Sequence, residues 1–255
     1  MLKLKQWKSA KGTQTIVALL AVTLILTCLP STAFGQLTTT STRDSSDSYY
    51  SAYFGNAHMP SVPSAEVDIV NTGSLAGYSH LDFSGHPPFG DLCANIYVYA
   101  GNQTFSECCS CLITPNALLQ LSVNLDLTNN PANGVLPPAG DIKIVSSYAT
   151  SDGCTISKSL GSLTATIDVA ATQYEPTGSL REWITHPRLT APGLVTLTET
   201  DFHIGFLSER GGDGLGSSTA SDESSSELSK LQSDCFAAQT NQTGRGRCTC
   251  GGGPK

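Results

Sequence analysis

The chain lacks the two most familiar hydrolase signatures: neither a Gly-x-Ser-x-Gly elbow nor a His-Glu-x-x-His pair occurs in its 255 residues. No glycine-rich loop opens a helix, which removes the usual phosphate cradle. Basic residues are few, 14 against 21 acidic ones, and the formal charge is −7. Such a chain repels phosphate backbones, which argues against nucleic acid as a partner. Like charges never gather into a block that would mark one specific basic partner. Helical periodicity is missing between the apolar runs, and without crossover helices a parallel sheet is not expected.

What is present begins with an export signal. Lys3, Lys5, Lys8 and Lys11 form a basic stretch, Ile16 to Leu29 an apolar core, and Ala33-Phe34-Gly35 offers small residues where a signal peptidase reads. Cleavage is expected before Gln36, giving a secreted or periplasmic protein. The apolar run is short for a membrane span, so no stable span is expected after cleavage. Residues 1–35 carry four lysines and no acid, so the remainder is more acidic still. They also carry Cys28. The eight cysteines left are an even number, which in an exported chain most simply means disulfides.

The strongest pattern runs from Asp91 to Asn130. Ala94, Ile96 and Val98 alternate with Asn95, Tyr97 and Tyr99, the period of a strand with two unlike faces. Gly101-Asn102 breaks the run with hairpin chemistry, and the returning arm carries Cys108, Cys109 and Cys111. Beyond Thr114-Pro115-Asn116, Leu119 to Leu127 alternates in the same way. Further short strands are read around Val67–Ile69, Ile142–Ile144, Leu163–Val169, Val195–Leu197 and Ile204–Phe206, with turns at Asn71-Thr72-Gly73 and Asp152-Gly153.

The fold class that follows is mainly β: an antiparallel β-sandwich with a short C-terminal helix and a disulfide clip. Its expected organisation is a signal peptide (1–35), a mobile Ser/Thr-rich leader (36–64), the sandwich (65–208), a flexible Gly/Ser linker (209–226), and a helix with a Cys-x-Cys tail (227–255). The expected core is Ile96, Val98, Leu119, Leu121, Val123, Leu125, Ile144, Ile167 and Leu197, the apolar phase of each run.

The disulfide candidates are Cys93, Cys108, Cys109, Cys111, Cys154, Cys235, Cys248 and Cys250. A three-residue loop, Gly101 to Gln103, sets Cys93 opposite Cys111 with Cys109 diagonal to it, so Cys93 is expected to bridge to Cys111 or Cys109. Cys108 then points to the other face and looks to Cys154 or the C-terminal pair. A zinc ribbon would need a second knuckle, and the chain offers only Cys248-x-Cys250. A redox pair would need to open a helix. No metal, cofactor or catalytic residue is therefore assigned. Candidate ligand contacts are Trp183, the one tryptophan beyond the leader, with neighbouring His186, and His80 and His86 in a proline-containing loop.

The segments Asp91-Leu92-Cys93-Ala94-Asn95-Ile96-Tyr97-Val98, Glu107-Cys108-Cys109-Ser110-Cys111 with Thr114-Pro115-Asn116, and Leu121-Ser122-Val123-Asn124 resemble a group of uncharacterised secreted proteins of environmental bacteria. The Cys235 helix followed by Cys248-x-Cys250 is similar to the end of those proteins. The resemblance covers most of residues 91–250 and implies export and a shared cysteine framework, with no activity and no site residue attached. The functional reading is an exported, disulfide-braced, non-enzymatic surface, matrix or binding module that meets an extracellular ligand or surface. The alternative is a secreted hydrolase or carbohydrate-active domain with a dispersed site.

Overall fold

The computed structural model describes residues 48–74, 90–160, 163–174, 176–191, 194–206 and 224–251. The chain divides into residues 1–41 and 42–255, and all described residues belong to the second unit. The expected signal peptide and most of the expected linker lie outside the described residues. No helix among the described residues is long and apolar enough to cross a membrane.

Eleven strands are described, β1 (Ser48–Phe54), β2 (Glu66–Asn71), β3 (Leu92–Ala100), β4 (Phe105–Ile113), β5 (Leu118–Ser122), β6 (Gly140–Tyr148), β7 (Thr155–Leu160), β8 (Leu163–Asp168), β9 (Leu180–Ala191), β10 (Leu194–Asp201) and β11 (His203–Phe206). A π-helical turn (Val123–Leu127), a 3-10 turn (Val169–Ala171) and one helix, α1 (Ser224–Thr240), complete the order. The strands form a five-stranded sheet β11-β1-β6-β3-β4, a four-stranded sheet β10-β9-β2-β5 and the hairpin β7-β8. Every strand pair is antiparallel. The expected mainly-β class with a C-terminal helix is thus found.

The two larger sheets pack face to face. Phe54, Ile96, Ile142 and Ile144 from the five-stranded sheet share one buried cluster with Val67, Ile69, Leu121, Leu180 and Ile184 from the other. A second cluster lies on the opposite face of the five-stranded sheet, where Tyr97, Cys108 and Val145 meet Ile167, Ala170, Leu231 and Cys235. The central strand β3 is therefore buried on both faces, from Leu92 through Val98. Its polar residue Asn95 is matched there: its amide donates to Val145 O (3.0 Å) and Ser147 Oγ (2.8 Å), and its oxygen accepts from Ser110 Oγ (2.6 Å). Tyr97 donates to Ala170 O (2.9 Å), which pins the 3-10 turn onto the sheet.

Several expectations need correction. Residues 48–54, read as part of a mobile leader, form β1 between β6 and β11, and Phe54 is fully buried. The strands β7 and β9 went unread as such. Pro187 disguises β9, but from His186 onward that strand pairs only with β10, a setting in which a missing N–H is tolerated. Of the expected core, Ile96, Val98, Leu121, Val123, Ile144 and Ile167 are buried and Leu119 packs against the cluster. Leu125 and Leu197 are 71% and 65% exposed. Leu197 sits on the edge strand β10 beyond the reach of β2. Leu125 fails because β5 stops at Ser122. There Ser122 Oγ accepts from Leu125 N (3.4 Å) and Ser122 N donates to Asp126 Oδ2 (2.8 Å), bonds that take the backbone out of the ladder.

The hairpin loop is the expected one, and the register is not. Ala100 N donates to Thr104 O (2.9 Å) and Gln103 takes a φ of 64°, closing a three-residue loop at Gly101–Gln103. The register then shifts: Tyr99 faces Phe105, but Val98 faces Glu107, so Ser106 is an extra residue in the returning arm. Its carbonyl accepts from Ala132 N (2.8 Å) instead. The bulge places Cys93 opposite Leu112, and Cys109 and Cys111 opposite Ile96 and Ala94 on the inner face. The expected Cys93 bridge to Cys111 or Cys109 is therefore wrong. The bridges are Cys93–Cys154, Cys108–Cys235, Cys109–Cys248 and Cys111–Cys250.

The early stop of β5 is testable by urea denaturation. Leu121→Ala removes a fully buried side chain and should cost roughly 2–5 kcal/mol. Leu125→Ala should change stability by about 0.5 kcal/mol or less. Equal losses at the two positions would contradict the π-helical turn.

Candidate functional site

Trp183 lies on β9 between Glu182 and Ile184, which are buried. Ile184 belongs to the inter-sheet cluster, so the alternation of the strand turns Trp183 to the outer face of the four-stranded sheet. Its register partners are Asp201 on β10 and Asp68 on β2, and Asp68 in turn faces Gln120 on β5. One row across the sheet thus reads Asp201, Trp183, Asp68, Gln120. Gln120 Nε2 donates to Asp68 Oδ1 (3.0 Å), fixing that carboxylate beside the indole. Asp68 is only 8% exposed and Trp183 is half-buried. The adjacent row places Glu199, Thr185, Glu66 and Ser122 side by side. This arrangement offers an aromatic face with acceptors on both sides of it, flanked by acidic side chains in one neighbouring row and by exposed Arg181 in the other.

Trp183 and His186 are not brought together. Three residues apart on a strand, they point to opposite faces. His186 Nε2 lies 2.9 Å from Thr200 Oγ1 on β10, and burial, then the neighbouring Arg188, lowers its pKa. Both causes favour the neutral ring. His80 and His86 lie outside the described residues. The sulfurs of Cys109, Cys111 and Cys250 lie within 4.8 Å of one another, a spacing that a metal could use. All three are spent in bridges, and a bridged sulfur is not the thiolate that binds metal or attacks.

Sequence reasoning missed Asp68, Gln120 and Asp201. Asp68 was legible as the outward residue between Val67 and Ile69, but its neighbours depend on strand order, which no local pattern carries. It also missed Glu107 in β4, a carboxyl with no exposure. Glu107 faces the inner side opposite Val98, and Oε1 accepts from Asn130 N (2.7 Å). Its Oε2 has no partner among the described residues. Burial raises its pKa to about 8, against the smaller opposing effect of the Asn130 bond. A sealed carboxyl of this kind is held in the protonated form at neutral pH and has no route to a substrate.

No protein-family model, curated protein or solved structure matches the chain. The site therefore stands on its own geometry.

Glu107 makes stability depend on pH in a stated direction. The folded carboxyl keeps a proton that an unfolded one releases above about pH 4.5, so its contribution is full below that value and is lost as pH rises through about 8. Glu107→Gln should abolish this dependence. Urea denaturation with the bridges intact should show the variant gaining on the parent by on the order of 1 kcal/mol or more between pH 5 and pH 8. Parallel pH profiles would contradict the buried-acid reading.

Proposed function

We propose that this chain is an exported, disulfide-braced binding module that holds a neutral glycan against the outer face of its four-stranded sheet. The observation that carries the reading is the row Asp201, Trp183, Asp68, Gln120. A pyranose ring presents an apolar C–H face and a rim of hydroxyls. The first packs on an indole, and the second donate to carboxylates or exchange bonds with an amide. A half-buried tryptophan is already ordered, so little side-chain freedom is lost on binding. Asp201, Asp68 and Glu199 outnumber Arg181 on this face and disfavour uronate and sulfated polymers by like-charge repulsion. Export is supported by the basic-apolar leader with its small-residue cleavage site and by four disulfides, which persist in oxidising compartments.

Electrophoresis through native gels containing polysaccharide tests the reading. A panel of neutral polymers that includes laminarin should contain one that retards the protein, and alginate, a polyanion, should not. Trp183→Ala should abolish the retardation, and Asp68→Asn should weaken it by about tenfold in affinity. Retardation unchanged in Trp183→Ala, or none across the neutral panel, would contradict the proposal.

A further inference from the structure

Cys109 and Cys111 stand two apart on β4 and share its inner face, opposite Ile96 and Ala94. The C-terminal tail brings Cys248 and Cys250 beside them with the same spacing. A parallel β-bridge between Cys108 and Arg247 sets the two segments in step. Read along the chain, Cys248-x-Cys250 has no second zinc knuckle; the fold supplies one in Cys109 and Cys111. The sulfurs of Cys109, Cys111 and Cys250 lie within 4.8 Å of one another, and Cys248 Sγ is bonded to Cys109 Sγ. Four sulfurs therefore form one cluster. Among the described residues no other group of three metal-ligating atoms gathers so closely.

Four thiolates around Zn²⁺ at about 2.3 Å put neighbouring sulfurs roughly 3.8 Å apart. The contacts between the two bridges are close to that spacing already. Within each bridge the bonded sulfurs would part by about 2 Å, and rotation about χ1 moves a cysteine sulfur further than that. Bonds other than the bridges also hold the tail in this register. Cys108 N donates to Gly246 O (3.0 Å), Cys248 N to Cys108 O (3.1 Å), Gly246 N to Asn130 O (2.7 Å) and Thr249 N to Asp126 O (2.9 Å). Arg247 pairs with Asp168 through Nη2 (2.6 Å) and Nε (3.1 Å). Cys109, Cys111 and Cys248 are buried and Cys250 is half-buried, so the tail end is the side that a reductant or cation can reach.

We propose that Cys109, Cys111, Cys248 and Cys250 become a tetrathiolate site for zinc when a small dithiol reduces their two bridges. The tail is then held on β4 in either of two ways, by two disulfides or by one Zn²⁺. Each bridge takes two electrons and two protons from one dithiol, which leaves as its own disulfide. Binding of Zn²⁺ to the four thiols then releases four protons.

The test uses the full chain, reduced with dithiothreitol, freed of it by anaerobic gel filtration, and titrated with Co²⁺ and then Zn²⁺. One Co²⁺ per chain should bind with the intense visible bands of a tetrahedral tetrathiolate, and Zn²⁺ should bleach them. Cys248→Ser combined with Cys250→Ser should weaken metal binding by at least about 100-fold. Timed alkylation with peptide mass mapping locates the ligands without any variant. Zinc should slow modification of Cys109, Cys111, Cys248 and Cys250 and leave the rates at Cys93, Cys108, Cys154 and Cys235 unchanged. The proposal is overturned if the reduced chain gives no tetrathiolate bands, if the double variant binds as the parent does, or if zinc protects the other four cysteines equally.

Discussion

Cys108 and Cys109 are neighbours on β4 and therefore point to opposite faces of the five-stranded sheet. Cys108 bonds to Cys235 and ties α1 to the outer face; Cys109, with Cys111 two residues on, bonds to Cys248 and Cys250 and ties the C-terminal segment to the inner face. One strand thus fastens the helix on one face and the C-terminal tail on the other. Cys93–Cys154 separately ties the start of the β7-β8 hairpin to β3. Around the Cys108–Cys235 bridge, Asp168 takes two bonds from Arg247, Nη2 at 2.6 Å and Nε at 3.1 Å, and Gln239 Nε2 donates to it at 2.8 Å. Hairpin, helix and tail meet at that carboxylate.

The tail does more than close loops. β4 is an edge strand, and an open edge is a template for pairing with another chain. Cys108 N donates to Gly246 O (3.0 Å) and Cys248 N donates to Cys108 O (3.1 Å), so the tail pairs in parallel with that edge at Cys108. Thr249 N then donates to Asp126 O (2.9 Å), beyond β5, the edge of the opposing sheet. The segment therefore spans from the edge of one sheet to the end of the other. Cys109–Cys248 and Cys111–Cys250 each span 139 residues. In the chain-entropy view a loop of this length closed alone contributes roughly 5 kcal/mol, and the second bridge, closing nearly the same loop, far less. The second bridge acts instead by holding the tail in one register on β4.

How far the sequence alone reaches can be traced through particular residues. The alternation of Ala94, Ile96 and Val98, the Gly101–Gln103 loop, the helix carrying Leu231 and Cys235, and the mainly-β class were all legible, because each follows from local period or turn chemistry. Ser106 was not. One bulged residue, stabilised by a bond from Ala132 N far along the chain, reverses which face each cysteine of the returning arm takes relative to Cys93. The same holds for Leu125, where Ser122 and Asp126 override an unbroken apolar alternation with local side-chain bonds. Trp183 was legible as a candidate, but the carboxylates beside it come from strands far away in the chain, and strand order is a property of the whole fold. The residues that sequence reasoning missed are those whose meaning is set by tertiary neighbours.

All eight cysteines beyond Cys28 are paired in bridges that brace the scaffold. The account's central claim is the division of labour on β4. Peptide mapping of the protein under non-reducing conditions, with fragmentation between Cys108 and Cys109, tests that claim most directly. The account predicts four linked pairs, Cys93 with Cys154, Cys108 with Cys235, Cys109 with Cys248 and Cys111 with Cys250. A bridge within the β3–β4 hairpin, such as Cys93–Cys111, or Cys108 linked to the tail and Cys109 to the helix, would contradict it.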